Sequence, residues 1–217
     1  MPRMPRLAGI GLVIAFGSVW GLAEAGLGLA LQACARLASG SIMTGVAVFF
    51  LAGSRLRARR AWGPALAVAL AMGLKLFDAA LLGLPVRSGA IGNPLFAILV
   101  VAAVFVAVFS VFGRAAGGSF RGRFLMGAGT GLLSALAFPA VAWATGIPAC
   151  VLSGTSIPLS IVFAPIAALA GGLAVPLAYR VVPALEAWQA RRPGLRVLIP
   201  AAAAVLSLDF IAVLRLA

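Results

Sequence analysis

From Leu7 to Ala35 the chain carries one ionisable residue, Glu24. At 1.5 Å per residue, an apolar run of that length crosses the roughly 30 Å hydrocarbon core of a bilayer as a helix. The run therefore reads as one membrane-spanning helix. Apolar segments fall near 8–33, 40–54, 62–84, 94–113, 124–145, 158–180 and 197–214. With 64 % hydrophobic and 10 % charged residues, the surface has too little polarity to meet water all round. The expected fold is an all-α polytopic membrane protein: one transmembrane domain over 1–217, with about seven helices in one bundle. Ala33-Cys34-Ala35 is similar to a signal cleavage site, but the run before it is too long for a signal h-region and carries Trp20 and Glu24. We take it as a retained span in a multi-pass protein of the cell (inner) membrane.

A formal net charge of +13 would suit a nucleic-acid binder, yet the arginines cluster in short loops between apolar runs, as membrane orientation requires. No nucleic-acid partner is expected; the lipid bilayer is. With the N-terminus inside, thirteen arginines fall on the inner side, among them Arg55, Arg57, Arg59 and Arg60. Only Arg36, Arg87 and Arg215 stay outside, which predicts an N-in, C-out topology. The stretch 181–196, with Glu186 and Trp188, is expected to lie as a short helix in the inner interface. The outer connections Leu84 to Asn93 and Gly146 to Ile157 are apolar. The second has two readings: a lid folded over the bundle, or a plain loop packed between helix ends. Pro139, Pro148, Pro158, Pro165 and Pro176 break or kink the fifth and sixth helices, either lining a cavity or bending helices without one.

Four ionisable side chains fall inside apolar segments: Glu24, Lys75, Asp78 and Asp209. A charge at the bilayer centre costs on the order of 2.5–3.5 kcal/mol on insertion scales, so each should face the protein interior with a partner. On a helical wheel Gly17, Gly21, Glu24 and Gly28 lie within about 60° of one another, so the carboxylate shares a face where another helix can approach closely. Lys75 and Asp78 are i,i+3 and can pair. Counting back from the outer ends puts Lys75, Asp78 and Asp209 roughly 8–14 Å deep, with Glu24 near the midplane. They are expected to converge, with Glu24–Lys75 and Lys75–Asp78 pairs, on a pocket that opens outward. Trp20, Ser18, Gln32, Ser88, Asn93 and Ser207 are candidate contributors. Asn93-Pro94 is expected to start the fourth helix, offering free N–H groups to an anion or carbonyl. The alternative is that these charges serve helix packing alone.

Catalysis lacks its usual groups. There is no histidine, no HExxH, no serine with a plausible base and no phosphate-cradling glycine loop. No enzymatic activity, metal or cofactor is expected. Cys34 and Cys150 both fall at outer helix ends; a disulfide is possible, but two small apolar side chains are the simpler account.

The run Gly17-Ser18-Val19-Trp20-Gly21-Leu22-Ala23-Glu24-Ala25-Gly26-Leu27-Gly28, with Leu74-Lys75-Leu76-Phe77-Asp78 and Ile91-Gly92-Asn93-Pro94-Leu95-Phe96-Ala97-Ile98, resembles the substrate-binding (S) subunits of energy-coupling factor transporters. The likeness covers roughly the first half of the chain. It implies a helical bundle that captures a vitamin or similar micronutrient from outside. It further implies docking to a transmembrane coupling subunit driven by two ATPase subunits, with Gly17, Gly21 and Ala25 as the docking face. The expectation is therefore a solute-binding transport subunit whose small-molecule solute meets Glu24, Lys75, Asp78, Trp20, Asn93 and Asp209. Two other classes remain open: a stand-alone proton-coupled transporter, and a non-transporting assembly or scaffold protein.

Overall fold

A computed structural model describes the backbone of residues 6–34, 39–58, 62–146, 150–192 and 194–216, and their side chains except those of residues 6–9, 27–34, 114–117, 196 and 216. The long helices are α1 (Arg6–Cys34), α2 (Ser39–Ala58), α3 (Trp62–Leu81), α4 (Gly89–Gly118), α5 (Phe120–Ala137), α8 (Ala164–Arg191) and α9 (Leu195–Leu216). Two short ones, α6 (Val141–Thr145) and α7 (Leu159–Val162), lie between α5 and α8. Among the described residues β pairing is limited to one isolated antiparallel bridge, Val151 with Pro158. The chain is an all-α polytopic membrane protein. Among the described residues six helices are long and apolar enough to span, one fewer than the seven expected. The seventh, α1, runs for 29 residues, and its described apolar part is the shorter stretch Ile10–Gly26.

Its surface is turned inside out relative to a water-soluble protein. Val111, Phe112, Leu125, Leu169, Val197 and Leu206 are exposed, while Ser18, Ser54, Lys75, Asp78 and Thr130 are buried. Lipid solvates the first set, and only the protein can solvate the second. The buried hydroxyls bond backward along their own helices: Thr130 donates to the Met126 carbonyl at 2.9 Å and Ser134 to the Thr130 carbonyl at 2.7 Å. Trp143, 94 % exposed, follows the end of α5, the level at which amphipathic rings anchor in the interface.

Helix α2 sits at the centre, touching α1, α3, α4, α5 and α8. Around it run α1, α3, α4, α5 and α8, while α9 lies outside, against α1 and α3. Lipid tails are as apolar as leucine, so close packing must hold the helices together. The α5–α8 seam shows how close it is. A Cβ on Gly127 would collide with the Gly171 carbonyl oxygen, and one on Gly131 with that of Ala167. On the other side of α8, a Cβ on Gly45 would meet that of Ala170 at 2.7 Å. Three glycines thus let α8 pack backbone to backbone into the bundle.

Three sequence expectations are corrected. Residues 181–191 do not form a separate interfacial helix; they are the last turns of α8. Pro183 only forfeits the bond that the Tyr179 carbonyl would accept, and Glu186 is tied to Arg57 of α2 at 3.1 Å. The fourth helix starts at Gly89, so Asn93-Pro94 lies inside it, and the amides of Ile91 and Gly92 both bond the Ser88 carbonyl. The sixth segment is split at Phe163 into α7 and α8. Pro139 has the local effect expected of it: α5 ends at Ala137, a 3-10 turn covers Phe138–Ala140, and α6 stops at Gly146 with φ 72°.

Candidate functional site

The second end of α1, α3, α5 and α9 and the first end of α2, α4 and α8 meet at one end of the bundle, which the arginine count assigns to the outer face. There a cavity of about 600 Å³ opens between them. The α3–α4 connection borders it through Leu82, Leu84 and Gly89. The segment after α6 does so through Cys150, Leu159 and Ser160. That segment is a small hairpin: the Leu152 amide bonds the Ile157 carbonyl and the Leu159 amide bonds the Cys150 carbonyl, with Gly154 at φ 76° in its turn. Only the two ends of this hairpin border the cavity, and Val151 to Ile157 are exposed.

Among the described residues, four charged ones line the cavity: Glu24 from α1, Lys75 and Asp78 from α3, and Arg215 from α9. Asp78 is fully buried and both its oxygens are engaged. Its Oδ2 accepts from Lys75 Nζ at 2.9 Å and from Arg215 Nη2 at 3.2 Å, and its Oδ1 accepts from Arg215 Nε at 2.5 Å. The i,i+3 spacing on α3 creates the first contact; the arginine arrives 137 positions later, on another helix. Glu24 does not reach this cluster. No ion pair within 4.0 Å joins it to Lys75, which corrects the expected Glu24–Lys75 pair, although Lys75 acts on it through space. Instead Trp20 Nε1 donates to Glu24 Oε1 at 3.3 Å, one helical turn away. Trp20 is fully buried and holds the carboxylate from behind rather than lining the cavity.

The remaining walls are mostly apolar, from Met43 and Ala47 on α2, Ile91, Ile98 and Val101 on α4, and Phe138 and Phe163. Set among them are two buried polar atoms without a hydrogen-bond partner, Asn93 Oδ1 and Ser160 Oγ. Pro94 lacks the N–H that the Ala90 carbonyl would accept, and both residues border the cavity. Asn93 thus contributes its amide side chain rather than a helix terminus.

Other expected contributors lie elsewhere. Asp209 is on the exposed side of α9 and does not line the cavity. Ser207 holds α9 to α1 by donating to the Ser18 carbonyl at 3.1 Å, and Ser88 Oγ is buried without a partner. Gln32 and Cys34 fall outside the residues whose side chains are described; Cys150 is a free, exposed thiol. Gly17 and Gly21 do not form an open docking face. A Cβ on Gly17 would lie 2.9 Å from Leu70 Cβ and one on Gly21 2.6 Å from Leu74 Cδ1, so α3 of the same chain covers them. Ala25 is 1 % exposed and packs on Leu74 and Ile211.

Arg215 and Ser160 were not singled out from the sequence. In the sequence Arg215 reads as a loop charge that sets orientation, and charge alone does not separate that role from a buried partner. Cys150 supplies a check on sidedness. In a Cys34→Ser background, a membrane-impermeant maleimide added to intact cells should label Cys150 fully. Labelling that appears only after the cells are opened would reverse the topology.

Comparison with family models, with curated proteins and with solved structures finds no match to this chain.

Proposed function

We propose that the chain is a solute-binding transport protein of the cell membrane, which takes a small molecule from the outer side into the cavity between α1, α2, α3 and α4. One observation carries this: two acids and two bases from three different helices border a cavity of about 600 Å³, the size range of small-molecule sites. Charges that serve packing alone need only a closed seam, whereas these border an open cavity and keep donors free for whatever enters it.

In the form suggested by the resemblance to energy-coupling factor S subunits, the solute is a micronutrient. Uptake is then driven by a transmembrane coupling subunit and two ATPase subunits. A second form, proton-coupled transport by the chain alone, is favoured by two observations. Glu24 faces the cavity with one hydrogen-bond partner, and the glycine face that would receive a coupling subunit is covered by α3.

The test is accumulation. Cells with and without the chain are incubated in an isotope-labelled cell extract, and retained compounds are identified by mass spectrometry. At least one compound should accumulate, and Lys75→Met should reduce it by about tenfold or more, the factor ~1.4 kcal/mol of lost binding gives. ATP depletion should stop uptake in the first form, and a protonophore without ATP depletion in the second. Equal labelling of both cell lines would leave the charges with a packing role and the chain among assembly proteins.

A further inference from the structure

The four charges are not mixed evenly along the cavity wall. Asp78 is buried with both oxygens engaged by three hydrogen bonds, whereas Lys75 has three donors and gives one to it, and Arg215 has five and gives two. Two cations on one anion leave this cluster one positive charge in excess. The balancing negative charge is Glu24, which stands apart: its partner is the neutral Trp20 indole, and Lys75 lies beyond ion-pair distance. Among the described residues, none of the others that line the cavity is charged. The described lining is therefore neutral as a whole but has a positive end, made by α3 and α9, and a negative end on α1. Lipid would leave that separation uncompensated at a depth where unpaired charge is costly, whereas water or a ligand of matching polarity can answer both ends.

Resting on the solute-binding reading above, we infer that the solute is a zwitterion with an apolar body, an α-amino acid or a close analogue. Its carboxylate sits at Lys75 and Arg215 and its ammonium at Glu24. Both of its charges then find partners without altering the net charge of the site. The Asn93 Oδ1 acceptor, buried and unpartnered, takes a second N–H of the ammonium group. Ile91, Ile98, Val101 and Phe138 receive the side chain. A monoanion would leave Glu24 in excess, and a monocation would leave the Lys75–Arg215 end unanswered.

The experiment uses the full chain in lipid nanodiscs and three probes that share one ring: L-phenylalanine, 3-phenylpropionate, which lacks the ammonium, and 2-phenylethylamine, which lacks the carboxylate. Equilibrium dialysis should show saturable binding of phenylalanine about tenfold or more tighter than either analogue. Glu24→Gln should weaken phenylalanine but not 3-phenylpropionate, so that the preference between them disappears. Lys75→Met should do the same for phenylalanine against 2-phenylethylamine. A purely structural role for these residues would weaken all three probes alike. If Lys75→Met does not fold, the ranking on the unaltered protein and the Glu24→Gln variant decide. An analogue that binds as well as phenylalanine, or no saturable binding of any probe, overturns the inference. The solute-binding reading is judged separately, by the accumulation assay.

Discussion

Asp78→Ala should be among the most damaging single substitutions in this protein, costing about 3–5 kcal/mol of stability, the range for removing one member of a buried ion pair. The effect should sit at the upper end because two cations, not one, lose their counter-charge. Lys75 is 6 % exposed and the Arg215 side chain 10 %, so little of either charge is hydrated and most of its compensation comes from Asp78. In detergent the variant should run as an aggregated rather than a monodisperse species, with its thermal transition lowered or lost. A second substitution gives the sharper readout. Adding Lys75→Met to Asp78→Ala removes one stranded cation and should recover part of the loss, so the pair should be non-additive by about 1 kcal/mol or more. Strict additivity would mean that the cluster does not act as a unit.

Gly131→Leu should be comparably severe for a different reason. Overpacking usually costs 1–3 kcal/mol when side chains give way. Here the obstruction is the Ala167 backbone carbonyl, so α5 and α8 themselves must move apart, and the cost should exceed about 3 kcal/mol. Gly127→Leu, against the Gly171 carbonyl, should behave the same way. Gly129 is the internal control: it lies on the same helix, but a Cβ there meets nothing within 4 Å. Gly129→Leu should leave expression and thermal stability nearly unchanged, and equal damage at 129 and 131 would show that helix propensity, not the seam, is being measured.

The helical membrane fold was legible because hydrocarbon admits few alternatives and long uncharged runs announce it. The pairing of Lys75 with Asp78 was legible for a local reason, since three positions on a helix fix a geometry. What followed from the third dimension was not. The glycine face of α1 correctly signals close approach, but Gly17 and Gly21 carry no information on whether the approaching helix is α3 or another protein. Arg215 and Asp209 were assigned opposite roles to those the structure gives them, and there a signal existed. Ser207, Ile211 and Arg215 recur at four-residue spacing and share one face of α9, whereas Asp209 falls about 160° away from Ile211. Phase along α9, rather than depth in the membrane, separates the buried cation from the exposed acid. One boundary failed where proline was taken as a helix start: Pro94 lies inside α4, which tolerates the missing bond as α8 does at Pro176 and Pro183.

The placement of Lys75 and Asp78 on one helix also bears on biosynthesis. When α3 leaves the ribosome and enters the bilayer, its two charges are already neighbours, so it partitions as a net-neutral segment instead of carrying two separate penalties of roughly 2.5–3.5 kcal/mol. Arg215 is translated well after α3, on α9. The excess positive charge of the Lys75–Asp78–Arg215 cluster therefore appears only when that late helix docks, and until then α3 waits in the membrane as a self-neutralised intermediate.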